Sequence, residues 1–261
     1  MTVEMALSAD GTRIAYEASG VGPALVLVNG GLSDRSSSAP LRGHLEPQFT
    51  VVGYDRRGRG DSGDRPPYAP EREIEDLAAV IQAVGSPALV YGHSSGAILA
   101  LRAAIGGVPI RRLAVNEPPF ILNGTRPLPS ADVLRRIEAL LAAGDRDGAL
   151  RVFFVDHVGM PEAAVGAMTA TPVWPRMLAL AHTVPYDAAI AGTSAADLAP
   201  FAALPTRTLV LTGTASAPWL GETARTLAAT LPNAELLELS GQPHSPAPDV
   251  LAPPLIRFFA T

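Results

Sequence analysis

Ser94 stands in the stretch Gly92-His93-Ser94-Ser95-Gly96. A glycine two residues to either side lets the chain fold sharply enough to push the serine hydroxyl out of the turn. The pattern alone also occurs in ordinary turns, and its surroundings distinguish it. The apolar run Leu89-Val90-Tyr91 precedes it and an alanine- and leucine-rich helical pattern, Ala97 to Leu101, follows. A serine at such a strand-to-helix junction faces the free N–H groups and positive dipole end of the helix, where the negative charge of acyl transfer develops. Its hydroxyl is a poor nucleophile until a base takes the proton, so the arrangement requires a histidine from elsewhere in the chain. Of the five histidines, His244 is the candidate, in a loop (Ser240-Gly241-Gln242-Pro243-His244-Ser245) that follows the last apolar run. His93 is expected to point away from the apex of the turn. His44, His157 and His182 are expected to pack or to lie at the surface.

These residues can meet only if the apolar runs form one sheet with their carboxyl ends together. Val3 to Ala6 and Arg13 to Glu17, on either side of Ala9-Asp10-Gly11, predict an opening antiparallel hairpin. Leu25 to Val28, Val51 to Tyr54, Leu113 to Glu117, Thr208 to Thr212 and Ala234 to Leu239 predict further strands. Ile74 to Val84 carries apolar residues at helical spacing, Glu222 to Leu231 predicts another helix, and Val250 to Phe259 a closing helix interrupted early by Pro253 and Pro254. Strands alternating with helices predict an α/β fold with a mostly parallel central sheet flanked by helices. The interval from 118 to 206 breaks the alternation. It shows helical stretches such as Ala131 to Ala143 and Asp147 to Val155, with proline-marked breaks near Pro161, Pro172, Pro175 and Pro185, and is too long for a simple crossover. It is expected to be an inserted helical cap over the edge carrying Ser94, with residues 1–117 and 207–261 forming the core.

At 261 residues and a formal charge of -5, the chain can bury a full core but offers no basic field for nucleic acid. It has no cysteine and no lysine, which excludes thiolate metal sites, disulfides, Schiff-base chemistry and a phosphate-loop lysine. No apolar run is long enough to span a membrane, and the N-terminus lacks the character of a targeting signal. The expectation is a soluble, cytoplasmic protein with no nucleic-acid or membrane partner and no metal or cofactor. The oligomeric state stays open.

With these residues in view, the chain resembles the α/β-hydrolase superfamily over nearly its whole length. The resemblance is carried by Val28-Asn29-Gly30-Gly31, by Asp55-Arg56-Arg57-Gly58-Arg59-Gly60-Asp61-Ser62, by the Ser94 turn and by Gly241-Gln242-Pro243-His244. It implies Ser94 as nucleophile, His244 as base and the backbone N–H groups of Gly31 and Ser95 as the oxyanion hole, with the Asp55 to Ser62 loop a structural turn of no catalytic role. Asn29 stands where the family usually has histidine, and its amide can still hydrogen-bond the loop. The family's orienting acid usually follows the strand equivalent to Thr208 to Thr212, yet Gly213-Thr214-Ala215-Ser216-Ala217-Pro218-Trp219 holds no carboxylate. Glu117 is the acid chosen instead, because its strand neighbours that of the nucleophile. The layout is similar to that of lactonases that open zearalenone, whose acid is a glutamate in a like Glu-Pro context. A glutamate that merely caps the Pro118-Pro119 turn, with Glu222 as a distant acid, is the alternative.

The expected activity is therefore cofactor-free hydrolysis of an ester or lactone through Ser94, His244 and Glu117. Phe153, Phe154, Met160, Met168, Trp174, Met177 and Leu178 of the insertion, with Trp219, predict a bulky apolar substrate if several line the cleft rather than pack the cap. Asn29, Trp174, Trp219 and Phe154 are the expected substrate contacts. Serine at the turn argues against epoxide or haloalkane hydrolysis. Carbon-carbon bond cleavage, haloperoxidase-like chemistry and a receptor-like protein with weak turnover remain as other readings.

Overall fold

The structure, a computed structural model, describes residues 2–260. Its strands are β1 (Glu4–Leu7), β2 (Arg13–Gly20), β3 (Ala24–Val28), β4 (Thr50–Tyr54), β5 (Ala88–His93), β6 (Ile110–Asn116), β7 (Thr208–Gly213) and β8 (Ala234–Leu239). They form one eight-stranded sheet in the order β1-β2-β4-β3-β5-β6-β7-β8. β2 pairs antiparallel with β1 and β4, and every pairing from β4 to β8 is parallel. This is the α/β-hydrolase fold. The opening turn closes as the sequence predicts: Asp10 accepts from the Thr12 N–H and Gly11 takes a left-handed φ of 84°.

The inner strands are apolar on both faces because helices cover both. Val26 and Val28 of β3 point into one buried cluster and Leu25 and Leu27 into the other, the period-two alternation of a strand. The first cluster takes α2 (Pro70–Val84), α3 (Ser95–Ile105) and α9 (Pro218–Thr230); the second takes α1 (Ala39–Leu45) and α10 (Pro248–Ala260). Contrary to expectation, α10 runs unbroken through Pro253 and Pro254. Each proline removes an intrahelical hydrogen bond worth about 1 kcal/mol net. Burial of Leu251, Leu255, Phe258 and Phe259, about 1.5–3 kcal/mol each, outweighs that loss.

Between β6 and β7 lie α4 (Val133–Ala142), α5 (Arg146–Val152), α6 (Glu162–Thr169), α7 (Val173–Leu180) and α8 (Val184–Ala191), with a π-helical turn over Phe153–Val158 continuing α5. Their prolines stand where one helix breaks off and the next starts. Pro161 and Pro172 are N-caps and Pro185 lies in the first turn of α8, where its missing N–H has no intrahelical partner to lose. These helices share a third apolar cluster that includes Ile137, Leu150, Phe153 and Trp174, reached from the sheet side by Leu32. Among the described residues, no helix is long and apolar enough to cross a membrane.

A tight backbone approach lies where α3 leaves the serine turn. A Cβ on Gly96 would stand 2.3 Å from the Val28 carbonyl oxygen and 2.5 Å from that of Asn29. The clash is with strand backbone, which cannot swing aside. Gly96→Ala is expected to destabilise the protein by at least about 2 kcal/mol, read as a lower midpoint of urea unfolding with an unchanged slope. An unchanged midpoint would show that this approach does not constrain the fold.

Candidate active site

β5 ends at His93, and Ser94 takes φ 55° and ψ -126° before α3 begins at Ser95. A non-glycine residue in this region is strained, and here the strain lifts the side chain off the sheet. The Ser94 N–H donates to the Asn116 carbonyl at 2.9 Å, so the neighbouring strand fixes the turn. Ser94 opens onto a cleft of about 500 Å³, lined also by Gly31, Ser95 and His244, by Phe154 from the insertion and by Trp219. Trp219 stands in the first turn of α9, which begins at Pro218 rather than at Glu222 as the sequence predicts.

β6 ends one residue before Glu117, whose carboxylate is fully buried. His244 Nδ1 and Glu117 Oε2 are 2.6 Å apart. The other oxygen, Oε1, accepts from the Thr212 hydroxyl at 2.9 Å and from the Gly213 N–H at 2.7 Å, both at the end of β7. Burial alone would push this carboxyl up, but the hydrogen bonds from His244 and Gly213 outweigh it and hold it below the usual carboxylate range. Glu117 is therefore ionised at neutral pH. With its Nδ1–H held by the carboxylate, His244 keeps Nε2 free to accept a proton.

Two expected substrate contacts fall elsewhere. Trp174 is buried among the inserted helices, its Nε1–H donating to Asp147 at 2.9 Å and its ring 6.1 Å from that of Phe154. The helices share a core of their own, and a large apolar ring is drawn into it. Asn29 braces its loop, donating to the Asp34 carbonyl at 2.9 Å, and lines an adjoining cavity of about 220 Å³ rather than the main cleft. Phe153, Met160 and Met177 do line the main cleft, whereas Met168 and Leu178 pack within the inserted helices.

Several residues beside the cleft escape a sequence reading. His93 lies under the His244 loop and also lines the cleft, its ring centroid 4.8 Å from that of His244. Its Nε2 meets the His244 carbonyl at 2.9 Å; because a carbonyl only accepts, that nitrogen carries the proton. Asn116 donates to the same carbonyl at 3.1 Å. His93 and Asn116 are register partners on adjacent parallel strands, a pairing that the alignment of the two strand ends could have exposed. Asp187 of α8 reaches under the Gly31 loop, accepting from Arg56 at 2.9 Å, from Arg59 at 2.8 Å and from the Ser95 hydroxyl at 2.8 Å. Arg59 also donates to the Gly30 carbonyl at 3.1 Å. The Asp55 to Ser62 loop thus does more than turn the chain: two of its arginines hold the backbone beside Ser94. The long separation in sequence between Asp187 and these arginines left no local signal.

Burial, with the neighbouring His244, lowers the His93 pKa from 6.5 to about 4, and burial with the nearby Arg126 lowers that of His157 to about 4. The unfolded chain takes up these protons near pH 6.5, the folded protein only near pH 4. Their contribution to stability is complete above pH 6.5 and is lost as pH falls through 4. For the well-buried His157 a shift of that size corresponds to about 3 kcal/mol. Urea unfolding measured across this range is expected to show stability falling with pH in the wild type and falling less steeply in His157→Gln. Parallel curves would mean that His157 protonates freely in the folded protein.

The Alpha/beta hydrolase family model matches residues 25–253. The solved structure of an alpha/beta hydrolase from Sphaerobacter thermophilus superimposes with a TM-score of 0.95 at 52% identity, covering 98% of this chain and 100% of that one. The chain is 35% identical over 121 residues to the uncharacterized hydrolase YraK of Bacillus subtilis, covering 45% of each. It is 36% identical over 129 residues to N-formylmaleamate deformylase of Pseudomonas putida, covering 48% of each. Its matches therefore span about half the length of these curated relatives. Strand order, serine turn and family match agree, and the chain belongs to the alpha/beta hydrolase family.

Proposed function

We propose that this protein is a cofactor-free serine hydrolase that cleaves an ester or lactone with a bulky apolar portion. The observation that carries the reading is the contact of 2.6 Å between Glu117 and His244 Nδ1, with Ser94 opening onto the same cleft. In this reading His244 Nε2 takes the Ser94 proton as Oγ attacks the substrate carbonyl carbon. The N–H groups of Gly31 and Ser95 hold the resulting oxyanion. The imidazolium, stabilised by Glu117, returns the proton to the leaving alcohol oxygen as the carbon-oxygen bond breaks. Water then attacks the acyl-serine through the same base, releasing the acid and restoring Ser94. With a lactone the alcohol stays attached to the acyl group. Residues 118–206 act as a cap, and Phe153, Phe154, Met160, Met177 and Trp219 receive the apolar portion.

The relative named as a deformylase supports a second reading, hydrolysis of an amide. The same three residues serve it, with an amine in place of the alcohol as leaving group.

A fluorophosphonate probe is expected to label Ser94 stoichiometrically, located by mass spectrometry of the digested adduct. An adduct on another residue, or none on folded protein, would end the serine-hydrolase reading. Glu117→Gln is expected to lower kcat for a p-nitrophenyl ester by at least about a hundredfold with little change in KM, since the carboxylate acts mainly on the imidazolium of the transition state. Near-full activity in that variant would remove Glu117 from the mechanism.

A further inference from the structure

Arg126, in the segment between β6 and α4, lines the cleft with a half-buried guanidinium. It donates to the Val158 carbonyl at 2.5 Å, to the His157 carbonyl, and through Nε to the Pro127 carbonyl at 3.4 Å. Its Cζ stands 4.8 Å from the centroid of the Trp219 ring. All these partners are neutral. Arg56, Arg57 and Arg59, the buried arginines of the neighbouring loop, each meet a carboxylate; Arg126 meets none among the described residues. A guanidinium has five N–H donors, and these bonds leave it two.

The other charges at the cleft do not complete the pair. Asp187 also lines it, but its carboxylate is held between Arg56 and Arg59. Glu117 is engaged by His244, Thr212 and Gly213. Burial lowers the pKa of Arg126, the direction expected of a cation taken from water without a counter-ion. A second polar group lies on the same wall. His157 is 6% exposed, lines the cleft, and its Nδ1 has no hydrogen-bond partner. Its carbonyl is one of those that hold Arg126, so the two side chains project from one junction of the insertion.

We propose that Arg126 is a specificity-determining residue and that the cleft takes substrates whose apolar body carries a carboxylate, which pairs with Arg126 while the ester or lactone carbonyl lies at Ser94. The proposal rests on the hydrolase reading for the identity of the reacting bond, but not for the carboxylate. A planar guanidinium over an aromatic ring suits a carboxylate, which it can bind through two N–H donors at once. It refines the expectation of a bulky apolar substrate: the cleft is mainly apolar with one uncompensated positive pole.

Binding tests this separately from catalysis. Ser94→Ala protein is titrated calorimetrically with phenylbutanoate and with phenylbutanamide, near-isosteric ligands of which only the first carries a charge. The acid is expected to bind at least about tenfold tighter, the usual scale of a charge-assisted hydrogen bond, and the ratio should fall with added salt. Arg126→Gln should bring the ratio near one, and Arg126→Lys should keep part of it. Acid and amide binding equally to protein with intact Arg126, or a ratio unchanged by Arg126→Gln, would overturn the proposal. In turnover, the p-nitrophenyl hemiester of adipic acid is expected to exceed its methyl-capped diester in kcat/KM by a similar factor. Turnover of both esters without that preference would refute the carboxylate and leave the hydrolase standing. A binding preference without turnover or Ser94 labelling would do the reverse.

Discussion

Asp187 joins the helices between β6 and β7 to the sheet edge that carries Ser94, and braces the groups around Ser94 from there. Arg56 is paired bidentately with Glu73 and reaches Asp187 with its remaining nitrogen, while Arg59 grips Asp187 from the other side. The four charges balance, all four side chains are buried, and burial's push on the Asp187 carboxyl is outweighed by the two arginines, which hold it below its usual range. Taking such groups out of water is expensive, and removing one partner typically costs about 3–5 kcal/mol because the others are left uncompensated. A buried network of this kind is satisfied in one geometry only. Here that geometry includes Asn29 and Gly30, whose carbonyls accept from Arg56 and Arg59, and the Ser95 hydroxyl, which donates to Asp187. The backbone that would stabilise an oxyanion is therefore tied to the helices that would cover the substrate.

Backbone strain gathers at the same edge. Leu32, Ser94 and Glu117 are the non-glycine residues with positive φ among those described, and they follow β3, β5 and β6, which are adjacent in the sheet. Each conformation costs about 1–3 kcal/mol and persists only where its surroundings over-determine it. For Ser94 and Glu117 the surroundings are the next strand: Ser94 donates to Asn116, and Glu117 donates its own N–H to Leu211 at 3.0 Å. Leu32 instead has its side chain in the apolar cluster of the insertion. Strand pairing and the inserted core thus together hold three residues in shapes they would not adopt alone.

The serine turn, the histidine loop and the parallel sheet were legible in the sequence because each is a local pattern: glycine spacing, an apolar run of strand length, a change of period at a junction. The helices between β6 and β7 were legible as helices for the same reason, with Pro161 and Pro172 at breaks between them and Pro175 within the first turn of α7. Contacts between distant segments left no such trace. Nothing near Asp187 tells that it meets Arg56 and Arg59, and nothing near Arg126 tells that it lacks a carboxylate. Trp174 and Trp219 are equally apolar, and only packing sends the first into the helical core and the second into the cleft. Pro253 and Pro254 show the same limit from the other side, since a local helix-breaking rule lost to the burial of one helix face.

The position of the carboxylate has a physical reason in the crowding at the end of β7. A Cβ on Gly213 would lie 2.1 Å from the Gln242 carbonyl oxygen, because the loop that carries His244 crosses directly over that strand end. The Thr214 hydroxyl and the Ala215 N–H fasten this crossing, bonding to Gly241 and Gln242. No side chain fits at Gly213. β6 lies between β5 and β7, so a side chain at its end faces the same histidine from the adjacent strand. Glu117 fills that place, and the β7 end still takes part, now as a donor: Thr212 and Gly213 bond the oxygen that His244 does not use. A buried carboxylate needs both oxygens satisfied to remain charged. Moving the acid to β6 keeps the charge beside His244 and turns the strand that lacks an acid into the support that keeps it ionised.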